Sequence, residues 1–176
     1  MSDPRIQKIK NAIRDVPDFP KAGIIFKDIT TLLKDKECFT HAVDLMIEQT
    51  GDKRIDAIAS VESRGFIFGA AIAHRLGVGF IPIRKPGKLP AQTVSEKYEL
   101  EYGFDQVEIH ADALKTGDTI LIVDDLLATG GTALASCRLI EKLGGIVLGG
   151  LFLIELSFLN GREYLHGYNV ISIIQY

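Results

Sequence analysis

The sequence predicts an α/β fold, a central and mostly parallel sheet flanked by helices. Two observations carry this. From Ile55 onward, apolar strand-like runs alternate with segments of helical spacing. The runs are continuous and β-branched rather than alternating with polar residues, which belongs to a parallel sheet covered on both faces. The 176 residues, 47% hydrophobic and 24% charged, suit one globular domain with an ample core and exclude disorder and fibrous repeats.

Taken in order, Ile6, Ile9 and Ile13 recur at helical spacing, as do Ala42, Leu45 and Met46, with Cys38 and Phe39 leading into the second stretch. Between them the run from Asp18 to Gly23 carries turn chemistry, and Ile24-Ile25-Phe26 is a short strand; this segment is expected to form a small lobe. Ala57–Val61 reads as a strand, Gly65–Leu76 as a helix ending at Gly77, and Phe80–Ile83 as the next strand. Residues 84–103 open as a loop rich in Pro, Gly and cations. The alternating stretch Tyr98–Tyr102 then forms a hairpin with Val107–Ile109 as its return strand. Thr119–Val123 is a strand, Thr132–Leu143 a helix closed by Gly144-Gly145, Ile146–Ile154 a strand, and Asn169–Tyr176 the last one. There is no internal repeat and no low-complexity segment.

Charge narrows the function. The net charge of -3 provides no global basic field for a nucleic acid, so any phosphate recognition must be local. The most apolar run, Gly145 to Ile154, is too short to span a bilayer. Mixed charge through Arg5, Lys8, Lys10 and Arg14 is unlike the apolar region of a secretory signal, and a cytoplasmic address is expected. Cys38 and Cys137 lack metal-ligand spacing and are expected to be reduced structural thiols.

The strongest chemical signal is the run Ile120 to Thr132, where an apolar strand ends in Asp124-Asp125 and Thr129-Gly130-Gly131-Thr132 opens a helix. The carboxyl ends of strands in an open α/β sheet are where ligands bind. The glycines let backbone N–H groups approach a ligand, and the helix N-terminus adds partial positive charge, which suits a phosphate monoester. Two carboxylates accept hydrogen bonds from a vicinal diol, so the combination reads as ribose 5-phosphate recognition. Read structurally, the acids cap a turn and the glycines make a tight connection; the combination after a β-branched strand favours the ligand reading. No Walker A loop and no Gly-x-Gly-x-x-Gly fingerprint follows a strand.

Val123 to Thr132 resembles the phosphoribosyl-pyrophosphate motif of the type I phosphoribosyltransferases, and Asp-Asp-Leu-Leu-Ala-Thr-Gly-Gly-Thr resembles their adenine-using branch in particular. The runs starting at Gly23, Glu62, Arg84, Leu100 and Glu155 resemble that family's segments in the family's order, so the likeness spans nearly the whole chain. It implies a type I fold over residues 1–176, with a small N-terminal hood at about 15–35 and a flexible β-hairpin lid at about 84–110. It implies the purine-salvage reaction adenine + phosphoribosyl pyrophosphate → AMP + pyrophosphate, with Mg²⁺ held mainly through substrate pyrophosphate and ribose oxygens; no residue is assigned to the metal. A homodimer is implied as well, with residues 84–88 near the subunit interface; neither nucleic acid nor a membrane is an expected partner.

The site residues follow from matching positions. Asp124, Asp125, Ala128, Thr129, Gly130, Gly131 and Thr132 would hold the ribose and its 5-phosphate. Ser63, Arg64, Arg84, Lys85 and Lys88 would hold pyrophosphate, although Ser63 also reads as a simple N-cap and residues 84–88 as a solvated run. Cleaving the C1–pyrophosphate bond builds oxocarbenium character on the sugar and charge on the leaving group, which cations stabilise. Ile25, Phe26 and Lys27 would read adenine through backbone groups with Phe26 stacked on the ring, and Leu156 would close the other face. Glu101 would handle the proton on the purine imidazole ring, against the alternative of a solvated hairpin face shared with Glu96 and Glu99; Tyr102 either contacts substrate or packs in the lid.

The 6-oxopurine members carry an acidic residue where this chain has Ala128, which disfavours hypoxanthine and guanine. Lys27 and Glu62 depart from the Arg and Asp of some relatives, and Lys lacks the planar fork of Arg. His41, His74, His110 and His166 show no paired spacing and read as structural or surface residues, and Glu155 with Arg162 as a structural ion pair. The competing class is a regulator that senses phosphoribosyl pyrophosphate. It would be expected to carry a DNA-binding domain or a basic face, and the 23 residues before Ile24 are too few for a winged helix.

Overall fold

The computed structural model describes residues 3–99 and 103–176, which fall into two compact units, Met1–Glu48 and Gln49–Tyr176. In the first unit, α1 (Pro4–Ala12) starts on Asp3, whose side chain accepts from the Arg5 N–H, and buries Ile9. Strands β1 (Arg14–Pro17) and β2 (Ile25–Asp28) form an antiparallel pair. Their connection turns at Asp18 and Gly23, both with positive φ, and the Gly23 N–H donates to Asp18 Oδ1 at 2.8 Å. The short α2 (Thr30–Lys34) precedes α3 (Lys36–Glu48), which buries Cys38, Ala42, Val43, Leu45 and Met46. Cys38 and Phe39 therefore lie inside that helix rather than ahead of it, and β1 and α2 are elements that hydrophobic period does not announce.

The second unit is built on a five-stranded, all-parallel sheet. Its strands are β3 (Ala57–Val61), β4 (Gly79–Ile83), β7 (Thr119–Leu127), β8 (Ile146–Glu155) and β9 (Val170–Gln175), in the spatial order β4-β3-β7-β8-β9. Counted by appearance this is 2-1-3-4-5, and the direction of winding reverses between β3 and β7, the topological switch point where doubly wound sheets bind ligands. Helix α4 (Arg64–Leu76) packs on β3, β4 and β7. Gly69 permits that approach, because a Cβ there would lie 1.9 Å from Ser60 Oγ. Helix α5 (Gly131–Lys142) packs on β7 and β8 and on an antiparallel hairpin of β5 (Thr93–Glu99) and β6 (Phe104–His110). Ile83, Ile109, Ile122, Leu139 and Phe152 are almost fully buried in the resulting core. Burial of each contributes about 1.5–3 kcal/mol relative to exposure.

Two differences from the expected elements bear on the site. The hairpin starts at Thr93, earlier than the alternation at Tyr98, because the β-branched Thr93 and Val94 pair with His110 and Ile109. Strand β7 does not stop at the acids. It leaves β3 after Val123, opposite Ser60, but stays paired with β8 as far as Leu127, opposite Glu155. Asp124 and Asp125 thus sit within a strand, where it has lost one of its two neighbours. A last helical turn, α6 (Gly161–Tyr164), connects β8 to β9. Among the described residues no helix is long and apolar enough to cross a membrane.

Candidate active site

The site assembles at the switch point from the ends of β3 and β7. Beyond β3, Glu62 and Ser63 lead into α4, the Glu62–Ser63 peptide is cis, and Ser63 is exposed without making a side-chain capping bond. At β7, Asp125 is buried, and its Oδ2 lies 3.0 Å from Arg64 Nε. Asp124 is half-buried, accepts from the Asp125 N–H at 2.8 Å, and sits under the start of α4: a Cβ on Gly65 would be 2.6 Å from its Oδ1. Burial, then the adjoining Asp125 charge, raises the Asp124 carboxyl well above its ordinary range. Burial raises Asp125 too, while the Arg64 guanidinium pulls the other way. Two adjacent carboxylates with perturbed ionisation at the end of a sheet strand are candidates for binding a ligand that donates hydrogen bonds.

Next to them the chain runs through Ala128 and the exposed Thr129 to Gly130, which caps α5 at φ 89°, a left-handed conformation that glycine adopts without strain. Gly131 is buried and Thr132 half-buried at the helix start. The first N–H groups of a helix have no acceptors within it, so this turn offers donors and a positive dipole end beside the two acids. The structure thereby brings Arg64, Asp124, Asp125 and residues 128–132 to one edge of the sheet.

The cations of residues 84–88 are placed by a second network. Glu62 Oε2 accepts from Arg84 Nη2 at 2.7 Å and Nε at 3.1 Å, and its Oε1 accepts from the Lys85 N–H at 2.6 Å. Burial alone would raise the Glu62 pKa; the Lys85 N–H and the Arg84 guanidinium more than offset it and hold the group below its ordinary value. Lys85 Nζ donates to Tyr98 OH at 2.9 Å and pairs with Asp105, so it reaches the hairpin. Lys88 is exposed, and its carbonyl accepts from Arg84 Nη1 at 3.1 Å. The hairpin is also tied to α5, where Glu96 pairs with Arg138 and Lys142. A cavity of about 880 Å³ opens between the hairpin and the start of α5, lined by Tyr98, Phe104, Gly131, Arg138 and Tyr164 among others.

Ile25 is exposed on β2, with Phe26 and Lys27 half-buried and Lys27 paired with Asp15, all within the first unit. Leu156 is half-buried just past β8. Glu101 and Tyr102 lie outside the described residues. The sequence does not mark Tyr98 and Asp105 as partners of Lys85, and it shows Glu62 only as the head of the run after β3 and a departure from the Asp of some relatives. Its contacts to Arg84 and Lys85 span 22 and 23 residues, and no local signal announces them.

Among the described residues no three His, Cys, Asp or Glu side chains come together as a metal-binding set. The Asp124-Asp125 pair does supply hard oxygens, and Mg²⁺ is commonly bound through one or two carboxylates together with substrate phosphates. The residues present therefore fit a Mg²⁺ carried in largely by the substrate.

A 2-1-3-4-5 parallel sheet with acids and a helix N-terminus at its switch point places the chain among the doubly wound α/β proteins. Residues 29–154 match the family of the phosphoribosyl transferase domain, and the chain belongs to that family. Its relatives are more specific. It is 60% identical to the adenine phosphoribosyltransferase of Desulfitobacterium hafniense over 164 residues, 93% of this chain and 95% of the relative. The crystal structure of adenine phosphoribosyltransferase from Thermoanaerobacter pseudethanolicus superposes with a TM-score of 0.96 at 56% identity, covering 97% of this chain and 99% of that one. The Saccharomyces cerevisiae enzyme, solved with adenine and an imino-altritol bisphosphate, matches at 0.91 and 40% identity over 97% of this chain and 98% of its own.

Proposed function

We propose that this protein is an adenine phosphoribosyltransferase that converts adenine and phosphoribosyl pyrophosphate to AMP and pyrophosphate. The observation that carries the reading is the placement of Asp124 and Asp125 beside the Gly130-Gly131 helix start at the switch point. The near-full-length likeness to adenine enzymes supports it.

In this reading Asp124 and Asp125 accept hydrogen bonds from the ribose hydroxyls, and the N–H groups of residues 128–132 hold the 5-phosphate. Ser63 and Arg64 bind pyrophosphate. Arg84, Lys85 and Lys88 join them by exchanging protein partners for phosphate oxygens. Bound Mg²⁺ supplies charge neutralisation to the leaving pyrophosphate. Glu101 takes the proton from the purine imidazole ring as its nitrogen bonds to C1, while the hairpin, Tyr102 included, excludes water from a sugar cation prone to hydrolysis. Ile25, Phe26, Lys27 and Leu156 are proposed for adenine from the resemblance. We infer one domain over 1–176 with a hood at about 15–35 and a lid at about 84–110, a homodimer, and a cytoplasmic address, with which two free cysteines are consistent.

The test is adenine-dependent release of pyrophosphate from phosphoribosyl pyrophosphate and Mg²⁺, in wild type, Asp125→Ala and Glu101→Ala. Activity in wild type that both changes cut deeply supports the function and both roles. Loss in Asp125→Ala alone makes Glu101 a lid residue. A wild type that binds phosphoribosyl pyrophosphate yet turns over no base establishes a sensor instead.

A further inference from the structure

The geometry points to Gly161 and the Glu155–Arg162 ion pair as positioning residues that set the phosphate-binding loop at 128–132; this rests on the reading of that loop given above. The loop does not hold itself. A Cβ on Gly161 would lie 2.1 Å from Ala128 O and 3.2 Å from Gly130 N, and a Cβ on Gly130 would lie 2.4 Å from Gly161 O. Two glycines thus bring the backbones of the loop and of α6 into direct contact. Whatever fixes α6 fixes the direction in which the loop's N–H groups point.

A four-residue helix has no stability of its own. Here α6 is clamped at its base. Arg162 Nε and Nη2 each donate at 2.7 Å to the two oxygens of Glu155, a bidentate pair, while Nη1 donates to Val170 O at 2.7 Å and Nη2 also to Ser172 Oγ at 3.0 Å. Ser172 Oγ in turn donates to Glu155 Oε2. Glu155 is 4% exposed and stands in register with Leu127, one residue before the loop. Leu165, buried at the other end of α6, completes the anchorage. Burial alone would raise the Glu155 carboxyl; the Arg162 guanidinium and the Ser172 hydroxyl hold it below its ordinary range, so it stays charged and keeps its partner. The loop is therefore gripped on both sides by the end of β8, directly through Leu127 and indirectly through Arg162 and Gly161.

The experiment compares Gly161→Ala and Arg162→Lys with wild type in steady-state kinetics, with ribose 5-phosphate as a competitive probe of the loop. Gly161→Ala is expected to raise the KM for phosphoribosyl pyrophosphate and the Ki of ribose 5-phosphate together, tenfold or more, leaving the KM for adenine within twofold. Arg162→Lys keeps the charge but loses the fork, and should show the same selective shift at smaller size. If Gly161→Ala does not fold, Arg162→Lys decides alone. A fall in melting temperature without the selective shift, or equal movement of both KM values, overturns the assignment. Failure of ribose 5-phosphate to compete in wild type would instead refute the phosphate-loop reading itself.

Discussion

Gly65→Ala separates the geometry of the acids from the stability of the fold. The added Cβ would lie 2.6 Å from Asp124 Oδ1 and 3.3 Å from Val123 O, where ordinary contact begins at 3.4 Å, so the carboxylate must yield by about 0.8 Å. Overpacking of this kind costs about 1–3 kcal/mol. Replacing glycine near the start of α4 returns up to about 1 kcal/mol of helix propensity. The net loss of stability is thus modest. Misplacement of a binding group by about 1 Å can cost on the order of a hundredfold in rate. We expect kcat/KM for phosphoribosyl pyrophosphate to fall by roughly that factor while the thermal unfolding midpoint drops by only a few degrees. The assay is pyrophosphate release at saturating adenine, with unfolding followed by circular dichroism. Activity within threefold of wild type would refute the claim that Gly65 sets the position of Asp124.

The raised Asp124 carboxyl gives a prediction of opposite signs for stability and activity. As pH climbs past about 3.9, the unfolded chain ionises this group before the native protein does, so the native state loses stability across the interval up to its own higher pKa. Asp124→Asn should therefore raise the melting temperature of the ligand-free protein at pH 7.5, with the gain vanishing below about pH 4. It should also lower kcat/KM roughly ten- to hundredfold, since a hydrogen bond to a charged group is worth about 1.5–3 kcal/mol; a melting temperature lower than wild type at pH 7.5 would show that burial is not what perturbs the group. Glu96→Ala removes the anchor that Arg138 and Lys142 grip on the hairpin. Limited proteolysis between residues 93 and 110 should quicken several-fold with little change in melting temperature, and an unchanged cleavage rate would mean the core side chains of β6 hold the hairpin alone.

What the sequence revealed and what it hid follow from where the stabilising contacts are made. Strands β3 and β8 are legible because burial on both faces demands continuous apolar side chains, and the edge strand β4 because its apolar run still buries Ile81 and Ile83 on one face. Strand β1, with the sequence Arg-Asp-Val-Pro, is polar and largely exposed, and owes its form to pairing with β2. The apolar pattern ends strand β7 at Asp124 and Asp125 and does not announce its continuation to Leu127. That continuation remains strand because Phe152 and Ile154 on β8 sit beside it in register. The acids and the glycine turn were visible as a motif, since one stretch of chain holds them. Glu62 with Arg84, Lys85 with Asp105, and Gly161 against Ala128 were not, since each joins segments that only the folded chain brings together.

The two cysteines acquire a use from the division of the chain. Cys38 lies in α3 of the first unit and Cys137 in α5 of the second, both buried, and burial raises both thiols, Cys137 to about 12. Thiol reagents attack the thiolate, so neither residue is reactive while its helix stays packed. Each becomes labelled only when its own surroundings open, and the two modification rates are separable by peptide mapping. The chain thus carries one native chemical clock in each unit, able to tell whether the two open together or one at a time.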